Sequence, residues 1–181
     1  MSENPRWRYR LAAQRLREGA VIAYPTEGVW GLGCDPANEA AVARVLNLKH
    51  RSWRKGLILV AATTEQLDWA VDTKNLPRDW PAATTFLVNK SGALPLWISG
   101  DSDKVAVRVS SHPVVKSLCA EFGAPIVSTS ANPSDRPPAL TALRARQYFA
   151  DGVDFYVPGA LGNSDGPSKI IDFDSHAVVR A

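Results

Sequence analysis

IVSTSAN, residues 126–132, opens on two apolar β-formers and closes on small hydrogen-bonding side chains. That pattern reads as a strand entering a core and leaving it at a polar end. The stretch before it, HPVVKSLCAEFG (112–123), has helical apolar spacing with Pro113 near its start and Gly123 as its stop. Residues 140–150 predict a further helix. Upstream, residues 6–18 read as a surface helix closed by Gly19, and VIAYP (21–25) as a buried strand. GVWGLGCDP (28–36) reads as a glycine-rich turn, and residues 38–48 as a helix with Asn38 at its N-cap. LILVAA (57–62) follows as a strand, and Thr63 with Gln66 reads as a capping box for a helix running to Val71. Residues 72–83 predict a loop. TTFLVN (84–89), KVAVRVS (104–110), DFYVP (154–158), SKIIDF (168–173) and HAVVR (176–180) predict strands. Helices and strands alternate early and strands cluster late, so the fold class is α/β, a mixed sheet with helices packed on it.

Bulk properties narrow the classes. A chain of 181 residues, 45% of them apolar, suits one domain, taken as residues 1–181, with a single sizeable core. Net charge is only +3, but the sequence pI is near 9.0, which points to a basic face that meets phosphate or nucleic acid. Cys34 and Cys119 have no CxxC spacing and no cluster of histidines, and the chain does not open on a signal segment, so a reduced cytoplasmic protein is expected. With no apolar run near the roughly 18 residues of a membrane span, no membrane association is expected.

Covalent catalysis needs a nucleophile oriented by a base, and the sequence offers little of either. His50, His112 and His176 are scattered, and His112, just before Pro113, reads as a capping or surface residue. Metal-ligand spacings such as HExxH are absent, so no protein-bound structural metal is expected. Lys49, Arg51, Arg54 and Lys55 crowd a helix end just before a strand. They suit either the helix dipole and solvent, or a clamp for phosphate or carboxylate. Thr26, Glu27, Ser128, Ser130 and Asn132 follow or end strands, where open α/β sheets bind ligands, although capping and turn formation use the same residue types. The TEGVWGLG glycines lack the Lys-Ser/Thr of a P-loop and favour tight turning.

In order and spacing, AYPTEGVWGLGCDP, LKHRSWRKGLILVAA, AVRVSSHP, IVSTSAN and GPSKIID resemble the YrdC family of threonylcarbamoyl-AMP synthases, in its single-domain bacterial form, from about Ala12 to Asp172. The resemblance implies a YrdC-like twisted mixed sheet with a concave basic cavity. It also implies a nucleotidyltransferase reaction in which L-threonine, bicarbonate and ATP, with Mg2+, give L-threonylcarbamoyladenylate and pyrophosphate. That product serves the modification of adenosine 37 in tRNA through a downstream threonylcarbamoyl-transferase complex. Matched residue by residue, Lys49, Arg51, Ser130 and Asn132 form the catalytic tetrad. Thr26, Arg108 and Ser128 contact threonine, while Lys55, Arg51 and Ser130 contact ATP.

The chain departs from the family pattern in three places: Ser52 stands where proline is common, WPAAT replaces WPGP, and Ser164 lies where an arginine often precedes the Pro-Ser pair. The last departure would either weaken nucleotide binding or pass an ATP contact to Arg54 or another residue. Two further readings use the same features, a non-catalytic module binding double-stranded RNA in tRNA or ribosome maturation, and a carbamoyl-transfer paralogue.

Overall fold

The computed structural model describes residues 6–92 and 94–180. In chain order the helices are α1 (Arg6–Arg17), α2 (Glu39–Leu48), α3 (Leu96–Ser99), α4 (Pro113–Phe122) and α5 (Ala142–Phe149). The strands are β1 (Ile22–Pro25), β2 (Trp30–Gly33), β3 (Ile58–Ala61), β4 (Thr84–Asn89), β5 (Lys104–Val109), β6 (Ile126–Ser130), β7 (Phe155–Tyr156), β8 (Lys169–Asp172) and β9 (Val178–Arg180). They form one mixed sheet in the order β7-β1-β2-β6-β3-β5-β4-β8-β9.

Strand alternation gives the sheet two unlike faces. Along β5, Val105 and Val107 enter the larger core, which also holds Leu59 and Ala61 of β3, Val127 of β6, and Val42 and Val45 of α2. The alternate residues Lys104, Ala106 and Arg108 point the other way, as period two requires. That second face is covered at one end by α1 and α4, where Leu16, Leu118 and Val115 pack on Ile22, Tyr24, Val60 and Ile126. Beyond this smaller core the face is open. The register sets Ile58 opposite both Ala106 and Ser128, so the open area runs across three strands.

Two local expectations need correction. GVWGLGCDP is not simply a turn, since Trp30–Gly33 is strand β2, antiparallel to β1 and β6. Its glycines serve packing. A Cβ on Gly33 would lie 2.5 Å from the Val127 carbonyl oxygen and 2.8 Å from the Tyr24 ring, so the tyrosine crosses the strand only where side chains are missing. The Thr63–Gln66 capping box also does not form. Residues 64–67 make a 3-10 turn, Thr63 caps nothing, and Gln66 instead accepts from Ala62 N (2.8 Å) and donates to the Cys119 carbonyl (3.0 Å), bridging β3 to α4. A distant partner outcompetes the local cap. Asn38 does cap α2, accepting from Ala41 N at 3.0 Å, and Gly123 closes α4 at φ +83°.

Candidate functional site

The open part of the second face is a cavity of about 320 Å3. Its floor is the cavity-facing side of β3, β5 and β6. Ser128 and Ser130, two residues apart on β6, lie on that side, whereas Val127 and Ala131 enter the larger core. Thr26 extends the floor past β1, its hydroxyl donating to the Val29 carbonyl at 2.7 Å. Arg108 is 6% exposed and ion-paired to the buried Glu27 at 3.4 Å, while Glu27 also accepts from the Ser110 hydroxyl at 2.6 Å. Nε of Arg108 has no protein partner although it is buried.

The cationic loop after α2 splits in function. Arg51 lines the cavity, held by a hydrogen bond from Nη2 to the Gly56 carbonyl at 3.0 Å, and its buried Nε is unpartnered. Burial lowers its pKa from the usual arginine value. Lys55 also lines the wall. Two arginines of the wall therefore keep an N–H donor unsatisfied by protein, an arrangement that suits an incoming oxyanion.

Lys49 and Asn132 stand behind the wall rather than in it. The Lys49 ammonium is 4% exposed and donates to the main-chain carbonyls of Ser130 (2.5 Å) and Asn132 (2.7 Å). Its own carbonyl accepts from Ser134 N and Oγ, each at 2.8 Å. Burial, then the charge of Arg51, lowers its pKa to about 8. Asn132 donates from Nδ2 to the carbonyls of Pro133 (2.9 Å) and Arg136 (2.7 Å). The expected tetrad is thus brought together, but Arg51 and Ser130 face the cavity while Lys49 ties down the end of β6 and Asn132 orders the turn after it.

His112 takes the N-cap position of α4, as expected, but it is not a surface residue. It is 6% exposed, makes no side-chain cap, and its Nε2 lies 3.1 Å from the Ala160 carbonyl oxygen. Arg54, expected as one possible replacement for the family's arginine, is not among the residues lining the cavity. It is exposed, pairs with Asp101 at 2.8 Å and stacks on Trp53. Two cations that the sequence reading passed over do line the cavity, Lys104 and Arg180. Lys104 had a signal in the period-two spacing from Arg108; Arg180 had none, because only the β8–β9 pairing brings the chain end back to the site. Arg180 donates to the Ser168 carbonyl at 2.7 Å, and its pKa is lowered by burial, then by Arg51 and Arg108. Cys34 and Cys119 are buried and free, with their thiol pKa values raised, Cys119 to about 12, so neither offers a thiolate.

The model of the Sua5/YciO/YrdC family, described as "Telomere recombination", matches residues 14–181. The chain belongs to this family. Among its Sua5/YciO/YrdC relatives, the threonylcarbamoyl-AMP synthase of Pseudomonas fluorescens (strain Pf0-1) is 50% identical over 96% of this chain and 97% of its own. That of Halorhodospira halophila is 48% identical over 96% and 94%. Among solved structures, P. abyssi Sua5 complexed with L-threonine superposes with a TM-score of 0.85 at 33% identity. The superposition covers 93% of this chain and 51% of that longer one. E. coli YciO, at 22% identity and a TM-score of 0.82, shares the fold.

Proposed function

We propose that this family member is an L-threonylcarbamoyladenylate synthase, joining L-threonine, bicarbonate and ATP and releasing pyrophosphate. The observation that carries the reading is the cavity wall itself. A small-ligand corner of Thr26, Arg108 and Ser128 opens onto a cationic stretch of Arg51, Lys55 and Arg180 beside Ser130. Curated relatives of nearly the same length bear the name of this synthase.

The reaction explains the lack of a protein nucleophile. Threonine's amine takes up bicarbonate, losing water, to give an N-carboxylate, and an oxygen of that carboxylate attacks the α-phosphorus of ATP. The bond to the β-phosphate bridging oxygen breaks and pyrophosphate leaves. The protein's task is therefore positioning and charge neutralisation. Arg108 would receive threonine's α-carboxylate in a charge-assisted pair, with Thr26 and Ser128 on its flanks. Arg51, Lys55 and Arg180 would hold the phosphates, and Ser130 the junction between the two substrates. Lys49 acts at one remove, by fixing the main chain of Ser130, and Asn132 by ordering the turn that follows it.

Magnesium accompanies ATP in this chemistry. Among the described residues there is no group of three or more His, Cys, Asp or Glu able to hold a metal, and the wall's Glu27 is already engaged by Ser110 and Arg108. Such a wall fits magnesium carried on phosphate oxygens and water. The product would pass to a transferase complex that modifies adenosine 37 of tRNA. Cytoplasmic work fits this role, and no helix among the described residues is long and apolar enough to cross a membrane.

The test is mass-spectrometric detection of threonylcarbamoyl-AMP, with pyrophosphate release that requires both threonine and bicarbonate. Normal ATP binding without product would sink the reading.

A further inference from the structure

Between β7 at one edge of the sheet and β8 near the other, residues 157–168 cross the molecule without regular secondary structure. This strap passes over the Pro25–Gly28 segment and ends in the cavity wall as Gly166, Pro167 and Ser168. Its fit is close. A Cβ on Gly28 would lie 2.1 Å from the Gly166 carbonyl oxygen, and one on Gly162 would lie 2.8 Å from that of Glu27. Gly162 N donates to the Thr26 carbonyl and Ser164 N to that of Glu27, each at 3.0 Å. At its far end the Ser168 hydroxyl shares a hydrogen bond with Thr85 Oγ1 at 2.8 Å, and its carbonyl accepts from Arg180.

The near end has one side-chain tie, His112. Because Nε2 faces the Ala160 carbonyl, an obligate acceptor, it carries a proton, and in the neutral ring, which burial favours, Nδ1 is then a bare lone pair. Nδ1 is indeed buried without a partner. The His112 amide donates to Ser110 Oγ at 3.2 Å, and Ser110 in turn donates to Glu27, the carboxylate paired with Arg108. One chain of contacts thus joins the strap, His112, Ser110, Glu27 and Arg108.

We propose that His112 is a positioning residue for the synthase reaction, clamping the strap at Ala160 so that Ser168 and the Arg180 it holds stand correctly across the cavity from Arg108. This rests on the proposed activity, and its experiment has an arm that does not. In ligand-free protein, hydrogen exchange at the amides of Gly162 and Ser164 should quicken at least tenfold in His112→Phe, which keeps a ring and loses the donor. His112→Gln, which returns an N–H near Nε2, should restore protection. In steady-state assays of threonylcarbamoyl-AMP formation, His112→Phe should raise the KM values about three- to tenfold with kcat nearly unchanged, as expected for loss of one neutral hydrogen bond behind a binding wall. His112→Gln should recover most of that loss.

Unchanged exchange in His112→Phe would overturn the clamp, whatever the activity. Faster exchange with unaltered KM values would overturn its part in the reaction. A wild-type protein that makes no threonylcarbamoyl-AMP while the exchange results hold would remove the proposed function and leave the clamp standing.

Discussion

On the outer helices, Arg6 and Arg10 of α1 both meet Glu121 of α4, at 2.7 and 3.3 Å, and Arg17 donates to the carbonyls of Glu121 and Phe122. In the cavity, Arg51 and Arg180 donate only to main-chain carbonyls; Arg51 is half-buried, whereas Arg180 is exposed apart from its partly buried bond to Ser168. Arg6 and Arg10 share a carboxylate partner and Arg17 only caps a helix end, whereas the inner two keep their charge beside a cavity, where desolvation makes it costly. The lowered pKa values of Arg51 and Arg180, both caused first by burial, express that cost. Cations without a carboxylate partner suit an anionic ligand, and a count of basic residues does not separate the two regions.

Arg51→Ala breaks the contrast most directly. Removing a donor aimed at developing phosphate charge should lower threonylcarbamoyl-AMP formation by about 10²-fold or more. The denaturant midpoint should stay near wild type, since Arg51 makes no carboxylate pair and sits at a cavity wall. Activity and unfolding measured on the same preparation decide it; unfolding in step with the lost activity would make Arg51 structural.

Lys49 sharpens the comparison because it is a third kind of cation, buried and bonded to main-chain carbonyls. Its folded pKa, about 8, lies below the free-lysine value of 10.5. Between these values the unfolded chain binds more protons than the folded one, so this group's contribution to stability rises with pH across that window. Below about pH 8 the buried charge subtracts on the order of 3 kcal/mol, and by about pH 10.5 that penalty is gone. Lys49→Met lacks the titration and orphans two carbonyls. Its deficit against wild type, read from urea midpoints, should therefore widen from about pH 7.5 to about pH 9.5. A constant or shrinking deficit would place the ammonium in contact with a charged group instead.

Gly28→Ala perturbs the wall without touching a charge. The added methyl must displace the strap carbonyls of Gly166 and Ser164, now 2.1 and 2.6 Å from its position. An overpacking cost of about 1–3 kcal/mol is expected. Activity should fall by more than the same substitution causes at Gly92, where a Cβ meets nothing within 4 Å but φ is +64°. Equal effects at both glycines would reduce the strap to ordinary loop packing.

Much of this architecture was legible because the signals were local. The strands KVAVRV and IVSTS were readable from local pattern, and the position of Ser128 and Ser130 at a strand end marked them as candidates, while Arg108 came only from the family resemblance. What escaped were choices made between distant segments. Gln66 could satisfy Thr63's helix start or bridge to Cys119, and only tertiary contact decides. The strand made by Trp30–Gly33 looks like a turn until Tyr24 is laid against its glycines. The family pattern gathered Lys49 and Asn132 with Arg51 and Ser130, but motif spacing carries no information on whether a side chain faces the cavity or the main chain behind it. Arg180 reaches the site through the pairing of two short strands, a contact that no window of sequence contains.

The smallest effect comes from the outer helices and serves as the control on the others. Glu121→Gln removes the carboxylate charge shared by Arg6 and Arg10, in a pair of helices whose apolar contacts remain. Both arginines are well exposed, so water and salt screen the pairing and its loss should cost little. The Glu121 carboxyl is held below its usual range, first by its hydrogen bond from Arg6. With a depressed folded pKa, its contribution is present at neutral pH and is lost as the solution is acidified through the carboxylate range. Wild type and Glu121→Gln should therefore differ slightly in denaturant midpoint near pH 7, less in high salt, and converge in acid, with threonylcarbamoyl-AMP formation unchanged throughout. A drop in activity comparable to that of Arg51→Ala would mean that the outer arginines also meet substrate, and the division between neutralised and retained charge would fail.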